Sequence, residues 1–363
     1  MELPYFREAC VACNHRQTPR NQVESGRESG LASFLMSWPT RSLSRLQKMQ
    51  LVCYMRPVQK NCLVLLNVSA AVAARLAVPS TCVPPGAVML STVNGYHASL
   101  RQAAFERVRT QRCFMDRVVS VCFNVSDAIG LCLNAPPVPP AQFRSGPYAS
   151  LLWAKWYFIA DALLVAHTTL WIDSDVVLLQ NPWAALVPQR QDPHVAPYHI
   201  QFQAERPISN PRWLRGEQMC LPVASSGING GLLLVRSAAL ATRMARLRPN
   251  QHEVSNSGAL DQDYLRELLA SADYSYCSLP AAFYSHLWSI GSARRAWQST
   301  RQRSGNNVTV AERLALALPL IQPCELLTVH ANGVSSRRQK LQVMRAALEK
   351  TRGCPTRLPI LSP

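Results

Sequence analysis

The chain of 363 residues is long enough for one large domain or two small ones with a substantial core. An apolar fraction of 48% with only 16% charged residues excludes general disorder. The formal charge of +17 raises anionic partners, but the arginines are scattered, without a dense run or a recognised nucleic-acid module, so no nucleic-acid partner is expected.

The first 80 or so residues differ from the remainder of the chain. No acidic residue occurs between Glu28 and Glu106, whereas Arg41, Arg45, Lys48, Arg56, Lys60 and Arg75 are present. An organelle transit peptide is one reading, against which Glu2, Glu8, Glu24 and Glu28 argue. A membrane anchor near residues 62–78 is the other. Its apolar piece, Cys62 to Ala74, falls short of the ~20 residues that span a bilayer and includes Asn67, so a buried or amphipathic helix is the alternative. Twelve cysteines without regular paired spacing indicate neither a zinc cassette nor a small disulfide scaffold. Asn67, Asn124 and Asn307 head Asn-x-Ser/Thr triplets, which permit passage through the secretory route.

The folded region is expected to begin after Pro84-Pro85. Val88–Val93 reads as a buried strand, Ala98–Thr110 as a helix and Val118–Phe123 as a second strand, an order that implies a crossover and a parallel sheet. Ligands of such sheets bind beyond the carboxyl ends of the strands. That makes Asn94 and Tyr96 candidate walls of a nucleotide site, with Tyr96 able to stack on a base; a plain strand-to-helix turn is the alternative. Tyr148–Ala166 is apolar on nearly all sides, as a helix buried between sheet and outer layer would be, with Lys155 as the exception.

Leu170-Trp171-Ile172-Asp173-Ser174-Asp175-Val176-Val177 comes next, a short apolar strand interrupted by two carboxylates one residue apart. Aspartates are depleted in strands and costly to bury unpaired, so a divalent cation with oxygen ligands is their natural partner. At a strand end, residues i and i+2 point the same way, and both carboxylates can face one ion, with the phosphates of a nucleotide filling its other positions. Pro188–Pro222 shows no clear periodicity and reads as a long functional loop. Ser225–Gly231 then leads into the strand Leu232–Val235; the glycines allow close backbone approach, and Asn229 offers a donor and an acceptor to sugar hydroxyls. Asp261-Gln262-Asp263 opens a helix, a position where acids are favoured by capping alone. Leu326–Gly333 is a strand that delivers His330 to a loop.

These blocks, from Phe143-Arg144-Ser145-Gly146-Pro147-Tyr148 through Asp173-Ser174-Asp175, Gly227–Ser237 and Asp261-Gln262-Asp263 to His330-Ala331-Asn332-Gly333, occur in an order that resembles the nucleotide-diphospho-sugar transferase family. That family includes plant and algal cell-wall xylosyl- and arabinosyltransferases, and the likeness covers roughly Val88 to Arg345. The resemblance implies an α/β fold of GT-A type, a Rossmann-like and mostly parallel sheet flanked by helices in a single catalytic domain. Residues 84–352 would form that domain, residues 1–83 a targeting or stem region and residues 353–363 a tail.

It further implies a metal-dependent glycosyltransferase that moves a sugar from a nucleotide diphosphate donor, UDP-linked, to a glycan or glycoprotein hydroxyl with retention, in the lumen of the Golgi or another secretory compartment. Asp173, Asp175 and His330 would hold the metal, and two carboxylates with an imidazole suit Mn²⁺ (or Mg²⁺) better than Ca²⁺. Lys155 would have a site role, reaching a phosphate or a carboxylate rather than snorkelling outward, Lys340 would approach the diphosphate, and Asp261 and Gln262 the transferred sugar. Asp263 is a candidate nucleophile if the reaction is a double displacement. Gly230 departs from the pattern, since relatives carry a hydroxyl residue there, and a non-catalytic nucleotide-binding member of the family is therefore an alternative. A basic nucleic-acid-binding protein and a metal-dependent phosphohydrolase are the more distant ones.

Overall fold

The computed structural model describes residues 50–55, 60–65, 67–94, 97–123, 131–135, 146–186, 198–205, 211–214, 220, 222–247, 260–271, 274–286, 321–334 and 336–355. In chain order, a hairpin of β1 (Gln50–Met55) and β2 (Lys60–Leu65) precedes α1 (Val68–Leu76), β3 (Ala87–Asn94), α2 (Ala98–Phe105), β4 (Val118–Phe123) and β5 (Leu131–Ala135). Next come α3 (Gly146–Ala162), β6 (Thr168–Ile172), β7 (Val176–Leu178), β8 (Ile200–Gln203), β9 (Asn229–Val235), α4 (Ala238–Arg246) and α5 (Asp261–Ser271). The short strands β10 (Tyr276–Ser278), β11 (Phe283–Ser285) and β12 (Thr328–His330) lead to α6 (Arg337–Lys350).

The main sheet has the order β10-β8-β9-β6-β3-β4-β5. All neighbours in it are parallel except at β9, which runs antiparallel to both β6 and β8. A second sheet, β11-β12-β7, carries the chain just past the aspartate pair. The period of two along each strand divides the core into two layers. Met89, Leu170, Ile172, Leu232 and Leu234 pack with Leu100, Phe105, Val343 and Met344 of α2 and α6. Val88, Leu90, Trp171, Leu233 and Val235 pack on the other face with Trp153, Trp156, Leu240, Leu265 and Val72 of α3, α4, α5 and α1. Each large apolar side chain buried in this way contributes about 1.5–3 kcal/mol.

Local signals set the helix starts. The Ser237 hydroxyl accepts from Leu240 N at 3.1 Å, and Ser336 forms a reciprocal capping box with Gln339 at the head of α6. Asn67 caps α1 through Oδ1, which accepts from Ala70 N at 2.8 Å. One of the three glycosylation triplets is thus built into a helix start, whereas Asn124 and Asn307 lie outside the described residues.

Upstream of residue 84, Val68 and Val72 are buried in one core layer and Cys82 and Val83 in the other. The segment read as an anchor or a buried helix includes part of β2 and the nine-residue α1, in which Val68, Ala71 and Val72 are buried, and among the described residues no helix is long and apolar enough to cross a membrane. Past residue 352, Cys354 is tied back to Cys324. That bridge is one of four disulfides among the described residues, with Cys82–Cys113, Cys122–Cys132 and Cys220–Cys277. Their partners are 10 to 57 residues apart, so no local spacing announces them.

Candidate active site

The site forms where strand directions bring chain ends together. Because β9 is antiparallel to β6, its first residues lie beside the last residues of β6: Ile172 pairs with Leu232, and Asp173 N donates to Gly231 O at 2.8 Å. The Gly230-Gly231 turn therefore meets the Asp-x-Asp motif. Strand β12, antiparallel to β7, places His330 opposite Val176, next to Asp175. Asp173, Asp175 and His330 each offer a ligand atom within 4.8 Å of the others.

Each of the three has one polar atom held by the protein and another turned inward. Asp173 Oδ1 accepts from Trp171 Nε1 at 2.8 Å. Asp175 Oδ2 accepts from Lys340 Nζ at 2.5 Å, while its Oδ1 lies 3.3 Å from His330 Nε2. His330 Nδ1 faces Gln203 Oε1 at 2.9 Å. The atoms left over are Asp173 Oδ2, Asp175 Oδ1 and His330 Nε2, two oxygens and an imidazole nitrogen. Gly231 faces two of them: a Cβ built there would collide with the His330 ring and lie 3.0 Å from Asp173 Oδ2. A side chain at this position would press on His330 and Asp173, and glycine leaves that space open. Two carboxylates and one imidazole suit a divalent cation of the Mn²⁺ or Mg²⁺ type, so the residues fit the metal the sequence implied.

The electrostatics agree with a cation site. Burial pushes the Asp173 carboxyl up, with Asp175 adding to the rise and Lys155 and His330 opposing it. Burial would also raise Asp175, but the charges of His330 and Lys340 and their hydrogen bonds outweigh it and hold that carboxyl well below the usual range. His97, at the head of α2, is lowered by burial and by Lys340, with Asp175 pulling the other way.

A second cluster adjoins the first through Gly230. Lys155, 2% exposed on the buried helix α3, reaches Asp261 Oδ2 at 2.7 Å and donates to Gly230 O at 2.9 Å. Trp156 Nε1 donates to the same Asp261 oxygen at 3.0 Å, and Gly230 N donates to Gln262 Oε1 at 3.3 Å. The Gly230 departure now has a physical account: a Cβ there would stand 2.8 Å from Lys155 Nζ, so the ammonium uses the room of the missing side chain. Asn229 folds its Oδ1 back onto Gly231 N at 2.9 Å and braces the turn, leaving its amide NH₂ for other partners.

The structure thus brings together Lys155, Asp173, Asp175, Asn229, Gly230, Asp261, Gln262, His330 and Lys340. It leaves Asp263 apart, because that carboxylate accepts from Leu260 N at 2.9 Å and pairs with Arg266 at 3.3 Å, both at the start of its own helix. Asn94 ends β3, but its side chain and Tyr96 lie outside the described residues. Gln203 was missed, since it falls in the stretch read as an aperiodic loop. There the structure has β8, and the alternation in Ile200-Gln201-Phe202-Gln203 was the available signal.

A mostly parallel sheet with one reversed strand, carrying an acidic metal-competent turn at the carboxyl end of β6, defines a GT-A-type nucleotide-sugar fold. The profile of the nucleotide-diphospho-sugar transferase family matches residues 110–344, well over half of the chain. The chain belongs to that family and is a glycosyltransferase. Among solved structures it is similar to the apo form of the glycosyltransferase GlyE of Streptococcus pneumoniae TIGR4, at 14% identity over 74% of this chain and a TM-score of 0.40. It spans 61% of the GlyE chain. A galactosyltransferase, LgtC, in complex with donor and acceptor sugar analogs is similar at 13% identity over 74% of this chain and 96% of that one, with a TM-score of 0.40. Mouse xyloside xylosyltransferase 1 in its apo form is similar at 9% identity over 69% of this chain and 98% of that one, with a TM-score of 0.35. No curated protein matches the sequence.

Proposed function

We propose that this glycosyltransferase takes its sugar from a UDP-sugar with the help of Mn²⁺ or Mg²⁺. It passes the sugar with retention to a hydroxyl of a glycan or glycoprotein. The observation that carries this reading is the grouping of Asp173, Asp175 and His330, whose ligand atoms lie within 4.8 Å of one another, with Gly231 leaving open the space against His330 and Asp173. A divalent cation bound there supplies Lewis-acid stabilisation of the departing diphosphate.

The chain's own residues do the rest. Lys340, half-buried against Asp175, adds a second positive charge within reach of the same phosphate oxygens. Lys155 holds Asp261 and the Gly230 carbonyl in one arrangement, so that Asp261, Gln262 and Asn229 present a fixed polar wall to sugar hydroxyls. Asp261 is engaged by Lys155 and Trp156, and Asp263 by its own helix. Neither stands free as a nucleophile, which favours attack by the acceptor hydroxyl from the face of departure over double displacement. The four disulfides among the described residues support an oxidising compartment, in keeping with a lumenal enzyme of the Golgi or another secretory organelle.

The test is UDP release from a panel of UDP-sugars by the full chain, with and without Mn²⁺, beside Asp175→Asn, with the anomeric configuration of the product read by NMR. Metal-dependent release from one donor that the substitution reduces at least ~100-fold is expected. Release that persists in chelator, or an inverted product, overturns the metal or the retention part respectively.

A further inference from the structure

Gln203, 1% exposed at the end of β8, lies outside every motif of the sequence. Its amide nitrogen donates to two backbone carbonyls of β11, Phe283 O at 2.8 Å and Tyr284 O at 3.0 Å. A group facing two carbonyl oxygens has to be the NH₂, which fixes the orientation of the amide independently of any assignment. The oxygen is then the atom that faces His330 Nδ1 at 2.9 Å, and an acceptor at that distance requires Nδ1 to carry a proton. The consequence passes across the ring. With Nδ1 donating to Gln203, Nε2 is the ring nitrogen left to face Asp175 Oδ1, 3.3 Å away. A carboxylate oxygen and a ring nitrogen that close need a positive centre between them, a proton or the metal ion that takes its place.

We infer that Gln203 is a positioning residue that locks His330 in its Nδ1–H form and thereby prepares Nε2 as a metal ligand. The inference rests on the reading of Asp173, Asp175 and His330 as a divalent-cation site. The two backbone donations hold the amide, the amide holds the imidazole, and the site is set before the ion arrives. Outer partners of this kind typically contribute 10–100-fold to metal affinity.

Two variants separate the acceptor role from the bracing of β11. Gln203→Met removes both the acceptor and the two donations, whereas Gln203→Glu removes the donations and keeps an acceptor for Nδ1. Mn²⁺ binding, followed by calorimetry on the full chain, is expected to weaken 10–100-fold in Gln203→Met and to match or exceed wild type in Gln203→Glu, although both lower the melting temperature. Equal weakening in both variants, or in neither, overturns the inference. Ring ¹⁵N spectra of the histidine-labelled wild type, metal-free and with diamagnetic Mg²⁺, provide a readout that needs no variant. Nδ1 of His330 should be protonated in both states, and an unprotonated Nδ1 in either one refutes the proposal even if the variants fail to fold. Wild type that binds no Mn²⁺ while Nδ1 stays protonated would sink the metal site and spare the hydrogen bond.

Discussion

Removing the Lys155 ammonium tests whether the second cluster is a closed electrostatic unit. In Lys155→Met the side chain keeps its volume, but Asp261, 3% exposed in its side chain, loses its counter-charge at 2.7 Å. At an effective dielectric of about 20 the attraction across that distance is about 6 kcal/mol, most of it offset by the desolvation of both groups. What remains to be lost is the penalty of a stranded buried carboxylate, about 3–5 kcal/mol. For a domain of this size that lowers the melting temperature by roughly 6–20 °C. The double variant Lys155→Met/Asp261→Leu removes both charges and strands only Trp156 Nε1 and the Gly230 carbonyl, each worth about 1–3 kcal/mol. Its loss should be smaller than the sum of the two single losses, a coupling visible in a double-mutant cycle by thermal and urea unfolding. A cost below about 1 kcal/mol for Lys155→Met, the size of an exposed ion pair, would refute the argument.

Gly231→Ala places a methyl against His330 and Asp173, 2.8 Å from His330 Nε2, and should weaken Mn²⁺ binding at least ~10-fold while overpacking costs about 1–3 kcal/mol, both measurable by calorimetry and melting. Replacing Cys324 and Cys354 with serine opens a link across 30 residues and should cost about 3–4 kcal/mol by loop entropy, with wild-type stability after the double substitution as the refuting result. Burial raises the Asp161 carboxyl against the opposing hydrogen bonds of Ser69. A raised folded value means that the penalty is absent below the unfolded pKa near 4 and fully present above the raised one, so stability falls as pH rises between them. Asp161→Asn should flatten the unfolding free energy across that weakly acidic window, and an unchanged slope would count against the assignment.

The sheet was legible because its strands are short apolar runs whose period of two matches two buried faces. Val88–Val93 and Val118–Phe123 became β3 and β4, parallel and joined through α2. Asp173 and Asp175 were legible for a related reason. Charges inside an apolar run are expensive, so their presence announces a partner before any partner is known. Asp261 and His330 came from a likeness in block order, not from local physics, since a helix-start acid and a lone histidine usually have structural duties.

The apolar strand runs, the Asp-x-Asp turn and the caps at Ser237 and Ser336 were determined by the sequence itself, because each depends on neighbours a few residues away. Only the tertiary structure decided that Gln203 faces His330 across 127 positions, that Lys155 closes on Asp261 across more than 100, and that the cysteines pair as they do. The physical reason is the order of the strands. The reversal of β9 beside β6, and of β12 beside β7, sets which distant residues meet, and no spacing along the chain encodes that choice.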